Sequence, residues 1–232
     1  MEFKQPLQKA TLIKRYKRFL SDMMLSDGTT VTAHCANSGS MLGLTAPGNE
    51  VWLSANTNPK AKLDWRWELV RVDGNLVGIN TAHPNRIVED AIKNNEIDEL
   101  LNYSKIRREV RYGNKSRIDL LLEDERKETC FVEVKNVTLK RKEYAEFPDA
   151  ETKRGLKHLR ELAKMVSEGN RALMFYLVQR SDCNLFKLAE DIDPEYAETF
   201  TEVRKVGVEA VCYACHVSPS NIKVTRPIPI VC

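Results

Sequence analysis

Arg117-Ile-Asp-Leu-Leu-Leu122 and Cys130-Phe-Val-Glu-Val-Lys135 are the two stretches of sequence that decide the fold. Each is an apolar run that contains charge: Asp119 in the first, Glu133 and Lys135 in the second. Because strand side chains alternate between faces, Glu133 and Lys135 share one face and the intervening valines point to the other. Burying a charge without a partner is costly, so three charges on neighbouring apolar strands require each other or a bound ligand.

A divalent cation would satisfy that requirement. Asp119 and Glu133 are suitable ligands for Mg²⁺ or Mn²⁺, because such hard ions accept one or two carboxylates together with water and phosphate oxygens. Lys135 lies beside them and is suited to orient an attacking water and to neutralise charge on a phosphate. The metal would act as Lewis acid and water activator for phosphodiester cleavage. The alternative is a half-exposed strand on which Glu133 and Lys135 form an ordinary surface pair.

The region around these stretches, residues 81–232, alternates between helical and strand patterns. Helices are predicted from Pro84 onward, over residues 151–168 and over residues 194–205. Strands are predicted over residues 106–112, 117–123, 130–135, 172–178 and 208–214. The tail from Arg226 is interrupted by proline and is predicted to be irregular. This order indicates an α/β domain with a mixed central sheet flanked by helices.

Residues 1–80 show short strand patterns separated by turns and no convincing helix. Strands are predicted within residues 7–24, 29–36, 50–57, 65–72 and 75–80, with Asp73-Gly74 as a hairpin turn. Five strands in a unit of this size favour an oligonucleotide-binding (OB) type barrel, with a small sandwich as the alternative. The chain is therefore predicted to be an α+β protein of two domains, residues 1–80 and 81–232.

Composition restricts the partners only weakly. The 36 Lys and Arg against 33 Asp and Glu allow binding to a polyanion without requiring it. The N-terminus has no signal-like apolar run, and the longest apolar run, residues 172–178, is strand-sized, so we expect a cytoplasmic protein with no membrane contact. Cys212-Tyr-Ala-Cys215-His216 has the spacing of haem attachment, but strand alternation separates the two cysteines onto opposite faces, and no haem is predicted.

An acid on one strand followed by Glu-x-Lys on the next, between two helices, resembles the PD-(D/E)xK nuclease superfamily. More narrowly, the chain resembles sugar fermentation stimulation protein A of bacteria and archaea. The matching stretches run nearly from end to end and include residues 15–19, 35–41, 112–113, 116–119, 131–138 and 147–159. The resemblance implies an OB-type barrel joined to a nuclease-like domain, DNA binding without strong sequence preference, and a link to maltose metabolism.

Two details of the superfamily pattern differ here. Superfamily members often carry a further acid on the first helix, and Glu89 and Asp90 are both candidates for this additional metal ligand. The alternative is that both are solvated acids on a helix surface. The Pro-Asp pair of the superfamily name is replaced by Ile118-Asp119, which keeps the carboxylate.

Basic and aromatic residues near these motifs are candidates for nucleic-acid contacts. The barrel contributes Lys14, Arg15, Tyr16, Lys17 and Arg18, a mixture that suits phosphates and stacked bases. A second basic run ahead of Asp119 includes Arg111, Lys115 and Arg117. On the helix predicted over residues 151–168, Arg154 and His158 share one face near the end where backbone donors favour anions, and we expect them to contact phosphate. For each cluster, the alternative is an ordinary solvated surface.

These observations predict a DNA-binding protein, with RNA as a further possible ligand, that carries an Mg²⁺- or Mn²⁺-dependent nuclease site. The alternative is a catalytically silent DNA-binding regulatory protein linked to sugar metabolism. No helix-turn-helix or comparable sequence reader is evident, so recognition of a specific operator is not expected. The oligomeric state is not addressed by any feature of the sequence.

Overall fold

The computed structural model of the protein describes residues 1–113 and 116–231, so Lys115 of the predicted basic run and Cys232 lie outside the described residues. The first part of the chain is a closed five-stranded barrel, and the second is a mixed sheet flanked by helices. This is the predicted architecture of an OB-like barrel followed by a nuclease-like α/β domain. No helix in the described ranges is both long and apolar enough to cross a membrane.

The barrel is formed by β1 (Gln8–Tyr16), β2 (Leu20–Leu25), β3 (Thr30–Cys35), β4 (Glu50–Ala55) and β5 (Trp65–Val72). Antiparallel neighbours follow the order β3-β2-β1-β4-β5, and the parallel pairing of β3 with β5 closes the barrel. A sixth strand, β6 (Asn75–Gly78), pairs with β5 outside the closed ring. Trp67 is fully buried in the barrel core, and its indole N–H donates to the Leu69 carbonyl at 2.9 Å.

The strand pattern of residues 7–24 is a hairpin rather than one long strand. Lys17 and Arg18 have φ angles of 48° and 62° at a tight turn, and β1 pairs with β2 on either side of it. This three-residue turn has two consecutive residues in the left-handed backbone conformation, which Gly, Asn or Asp usually supplies. Two basic residues give no such signal, so the alternating pattern continues through the turn.

The second domain contains a longer series of elements. In chain order they are α1 (Pro84–Lys93), a 3₁₀ turn (Asp98–Leu100), β7 (Lys105–Tyr112), β8 (Ser116–Asp124), β9 (Lys127–Val137), β10 (Leu139–Arg141), β11 (Tyr144–Phe147), α2 (Lys153–Ser167), β12 (Arg171–Val178), β13 (Leu185–Leu188), α3 (Pro194–Lys205), β14 (Glu209–Val217) and β15 (Ile222–Pro227). The main sheet has the order β15-β14-β12-β9-β8-β7. Strand β12 is parallel to β9 and β14, and the other pairs are antiparallel.

Helices cover both faces of this sheet because each carries an apolar stripe. Helix α1 buries Ile87, Val88, Ala91 and Ile92 against one face, as its helical spacing predicts. Helices α2 and α3 pack on the other face. Helix α2 begins after Thr152, whose hydroxyl oxygen accepts the N–H of the third helical residue at 3.0 Å, as an N-cap does.

Several short elements are absent from the sequence prediction. Strands β10, β11 and β13 form a separate three-stranded sheet, and each has only three or four residues, too few to show a period. The predicted irregular tail is wrong at its start, since β15 includes Arg226 and Pro227 as an edge strand where a missing N–H is tolerated. The predicted separation of Cys212 from Cys215 is confirmed, because they contribute to different cores.

The two domains contact each other through backbone as well as side chains. The Gly78 N–H at the end of the barrel donates to the Gln179 carbonyl at 2.9 Å, and Thr81 N–H donates to the Ala36 carbonyl at 3.0 Å. The Gln179 side chain is fully buried, and its amide donates to Asn136 at 2.6 Å. The contact is therefore close-packed and leaves no room for a side chain on Gly78.

Replacing Gly78 with alanine tests this contact. The new Cβ would lie 2.5 Å from Gln179 Oε1. We expect Gly78→Ala to lower the free energy of unfolding, measured by urea denaturation, by about 1–3 kcal/mol, the usual cost of overpacking. In a Gln179→Ala background the same substitution should cost much less. An equal cost in both backgrounds would show that the Gln179 side chain is not the cause.

Candidate metal and nucleic-acid site

Asp119 lies where strands β8 and β9 separate. Their ladder ends at the pair of Leu120 and Val132, so Asp119, the neighbour of Leu120, is not paired with β9. Beyond that point the Asp119 Oδ2 atom accepts the Val134 backbone N–H at 2.8 Å, in place of a carbonyl oxygen of the opposing strand. On its other side, the pairing of β8 with β7 also omits Asp119 and the opposing Glu109, whose φ is 54°. The sheet therefore opens around this carboxylate.

Glu133 faces helix α2 from the neighbouring strand and is only 2% exposed. Its Oε1 atom accepts a hydrogen bond from Lys135 Nζ at 2.8 Å and contacts His158 Nδ1. Its Oε2 atom has no hydrogen-bond partner among the described residues. A buried carboxylate oxygen without a partner is costly, so the arrangement favours a ligand at Oε2.

His158 lies deeper than the sequence suggests. The prediction places it with Arg154 on a helix face away from most of the leucines, but His158 is 4% exposed and directed at Glu133. Arg154 Nε donates to His158 Nε2 at 3.4 Å, and the Arg154 side chain is itself exposed. The surface position predicted for His158 is therefore wrong. The imidazole links the buried carboxylate to an exposed guanidinium.

Helix α1 contributes an amide rather than an acid. Asn85, in the first turn, donates from Nδ2 to Asp119 Oδ1 at 2.8 Å. The two acids predicted as alternatives are engaged elsewhere: Glu89 pairs with Lys93 at 2.6 Å, and Asp90 lies 3.5 Å from the N-terminal amine. Neither acid contacts Asp119 in this network. The sequence pattern could not identify Asn85, because its role depends on how α1 crosses the end of the sheet.

These groups line a cleft of about 430 Å³ that both domains form. The second domain contributes Asp119, Glu133 and Lys135, so the predicted trio does converge. The barrel contributes the loop that follows β3, residues 37–39. Gly39 approaches the second domain so closely that a Cβ there would lie 2.9 Å from both carboxylate oxygens of Asp149.

Arg15 holds this barrel loop in place. Its guanidinium donates to the backbone carbonyls of Asn37 and Gly39 at 2.8 and 3.0 Å, and its Nε donates to the Arg18 carbonyl at 3.1 Å. Asp149 completes the anchorage by accepting the Met41 N–H at 2.8 Å. The predicted nucleic-acid residue Arg15 thus has its donors engaged with the protein backbone. It shapes the wall of the cleft.

The other predicted basic residues lie on the surface. Arg111 and Arg117 are directly opposite each other on β7 and β8, and both are exposed. Like charges in opposed positions of a sheet repel, which favours an anion between them. Lys14 and Tyr16 share the Asp22 carboxylate, at 3.6 and 3.0 Å.

The two acids differ in their electrostatic environment. Burial, reinforced by the nearby charge of Glu133, raises the pKa of Asp119 to about 6. Burial acts in the same direction on Glu133, but the Lys135 charge and the His158 hydrogen bond outweigh it and lower the pKa of Glu133 below its usual value. The metal-free site therefore holds one firmly ionised carboxylate and one that is strained when ionised.

The donor set fits a hard divalent cation. Within residues 1–113 and 116–231, no three His, Cys, Asp or Glu side chains form a preassembled metal centre. Mg²⁺ does not need one, since it keeps several waters and takes one or two carboxylates. The unpartnered Glu133 Oε2 and the destabilised Asp119 carboxylate are suited to be those two ligands.

An OB-type barrel and a nuclease-like α/β domain sharing one cleft define the class of protein. Two family models match along the chain: "SfsA N-terminal OB domain" over residues 13–79 and "Sugar fermentation stimulation protein RE domain" over residues 82–221. The chain belongs to the sugar fermentation stimulation protein (SfsA) family.

Relatives of this family match over nearly the whole chain. The sugar fermentation stimulation protein homolog of Paramagnetospirillum magneticum is 59% identical, covering 98% of this chain and 97% of that protein. The homolog of Rhodospirillum centenum is 56% identical, covering 97% of both. Among solved structures, SfsA of Pyrococcus furiosus, in complex with Ca²⁺, superposes with a TM-score of 0.91 at 26% identity. That match covers 100% of this chain and 98% of the other.

The raised pKa of Asp119 predicts that ionisation of this carboxyl lowers the free energy of unfolding of the metal-free protein. The folded-state pKa near 6 lies above the ordinary 3.8, so the folded protein holds this proton more tightly than the unfolded chain. The stability that this provides is fully present below about pH 4 and is lost as the pH rises through 6. In EDTA, Asp119→Asn should therefore be more stable than the parent protein at pH 8, by up to about 3 kcal/mol. Near pH 4.5 the gain should fall to about 1 kcal/mol, because the unfolded-state carboxyl is still mostly ionised there. A difference that does not change between the two pH values, measured by urea denaturation, would contradict this assignment.

Proposed function

We propose that this protein binds DNA and hydrolyses its phosphodiester bonds with the help of Mg²⁺ or Mn²⁺ at Asp119 and Glu133. The observation that carries the proposal is the convergence of Asp119, Glu133 and Lys135 on one cleft, where Glu133 Oε2 is buried without a described partner. The relative from Pyrococcus furiosus was solved with Ca²⁺, another hard cation that binds oxygen ligands. That finding supports a divalent-cation site in this chain, for which Asp119 and Glu133 are the proposed ligands.

Each residue has a distinct part in the proposed reaction. When bound, the metal ion would supply Lewis acidity and an activated water. Lys135 Nζ, already 2.8 Å from Glu133 Oε1, would donate to the scissile phosphate and orient the attacking water. His158 holds Glu133 through Oε1 and so leaves Oε2 directed to the ligand. Asn85 and the Val134 N–H each donate to one oxygen of the Asp119 carboxylate, which fixes its orientation and leaves each oxygen a further lone pair for the metal.

In the proposed complex, DNA phosphates would contact exposed basic residues of both domains. Arg154 is exposed at its edge, and the opposed Arg111 and Arg117 provide a second position that favours an anion. On the barrel, Lys17 and Arg18 are exposed at the β1–β2 turn. All these residues are suited to contact the sugar–phosphate backbone. Binding should therefore depend on salt and only weakly on sequence.

Metal binding is tested by calorimetry and thermal unfolding. We expect Mn²⁺ to stabilise the protein by about 2.7 kcal/mol at a concentration 100 times its Kd, because it binds only the folded site. Glu133→Gln keeps the shape of the side chain and should abolish this stabilisation. Glu89→Gln is the matched control, since Glu89 pairs with Lys93 outside the cleft network. Unchanged Mn²⁺ affinity in Glu133→Gln would exclude Glu133 as a ligand.

Cleavage is tested on labelled single- and double-stranded DNA with Mg²⁺ or Mn²⁺. We expect Lys135→Ala to reduce the cleavage rate by at least about 100-fold, the usual cost of losing a donor at a developing charge. The substitution also removes the charge that offsets the burial of Glu133, so thermal stability in EDTA should fall, and the cleavage rates are compared at a temperature at which the variant is fully folded. Lys164→Ala, on the exposed side of α2, is the control. If the protein binds DNA but cleaves it with neither Mg²⁺ nor Mn²⁺, the catalytically silent DNA-binding protein is the correct alternative.

A further inference from the structure

Phe19 is an exposed aromatic ring at the tip of the barrel. It follows the Lys17-Arg18 turn between β1 and β2, and 47% of its surface is exposed. The ring stacks on His34 of β3, with centroids 6.3 Å apart and an angle of 18° between the planes. One face of Phe19 is thus supported by His34. Its exposure leaves the other face available to a planar ligand.

The surroundings of this ring pair are basic. Lys17 and Arg18 immediately precede Phe19 and are exposed. Arg66 of β5 is the direct neighbour of His34 in the parallel β3–β5 pairing, and it is also exposed. The carboxylate of Asp22 on β2 is occupied by Tyr16 and Thr32, at 3.0 and 2.9 Å. A planar ring surrounded by cations is complementary to a ligand that combines aromatic faces with negative charge.

The ring pair is connected to the cleft by the protein backbone. The Phe19 carbonyl oxygen accepts the Cys35 N–H at 2.9 Å, just before the loop that lines the cleft. The Arg15 guanidinium joins the Arg18 carbonyl to the carbonyl of Gly39 in the same loop. These hydrogen bonds fix the turn relative to the loop that lines the cleft, so Phe19 and the cleft wall belong to one connected part of the barrel.

We infer that Phe19, supported by His34, is a stacking platform for an unpaired base of single-stranded nucleic acid whose backbone enters the cleft. The inference rests on the proposed function and specifies its substrate as a strand with at least one unpaired base. Base stacking on an exposed aromatic ring suits any sequence, because every base has a π-face, and nearby cations track the phosphates. A paired duplex offers no such face except at its ends.

Fluorescence anisotropy with labelled oligonucleotides about 15 nucleotides long tests the platform. Single-stranded DNA, single-stranded RNA and a blunt hairpin duplex are compared with Ca²⁺ present. Phe19→Ala should weaken single-strand binding roughly tenfold or more, and duplex binding less than about twofold. The dependence of affinity on salt should not change, because no charge is removed. Phe19→Trp should retain affinity, with quenching of indole fluorescence when a single strand binds.

Met24→Ala is the matched control, since Met24 is a similarly exposed apolar side chain on β2, at 44%. Equal effects of Phe19→Ala and Met24→Ala, or equal loss of single-strand and duplex binding, would overturn the platform and leave the proposed function standing. Binding of duplex alone by the parent protein would do the same. Selective loss of single-strand binding without any cleavage would support the platform while removing the proposed catalysis. No binding to any oligonucleotide would overturn both.

Discussion

The hydrogen bond from the Val134 N–H to the Asp119 carboxylate is the constraint on which the site depends. A sheet satisfies its backbone donors with carbonyl oxygens of the adjacent strand, and continued pairing of β8 with β9 would keep the strands too close to admit a ligand. Here a side-chain oxygen takes that role at 2.8 Å. The strands can therefore separate without leaving a buried N–H unpaired. This one hydrogen bond therefore accounts for both the opening in the sheet and the position of the Asp119 carboxylate.

This substitution places a carboxylate where it is costly to ionise. The raised pKa of Asp119 reflects burial and the proximity of Glu133, whose own charge is retained through Lys135 and His158. Both donors contact Oε1 of Glu133, so Oε2 remains without a described partner. Negative charge therefore exceeds its compensation on the side that faces the cleft. A divalent cation bound there would relieve both defects, which a water molecule or a lysine alone would not do.

The features that could be predicted from the sequence are those that follow from the regular spacing of residues along a strand or a helix. Glu133 and Lys135 share a face because they are two apart on a strand, and the α1 stripe follows from its spacing of three and four. Features that depend on tertiary placement were not predictable. Asn85 reaches Asp119 because of where α1 crosses the sheet, while the more conspicuous acid Glu89 faces Lys93. The β1–β2 turn was hidden because its positive φ angles fall on residues that rarely adopt them.

The barrel completes the site through backbone rather than through chemically reactive side chains. Its loop after β3 lines the cleft with residues 37–39, and Gly39 approaches Asp149 too closely to carry a side chain. Arg15 fixes the same loop by donating to the carbonyls of Asn37 and Gly39. A basic residue that sequence alone assigns to DNA contact thus has a structural role: it holds the loop that forms the barrel side of the cleft.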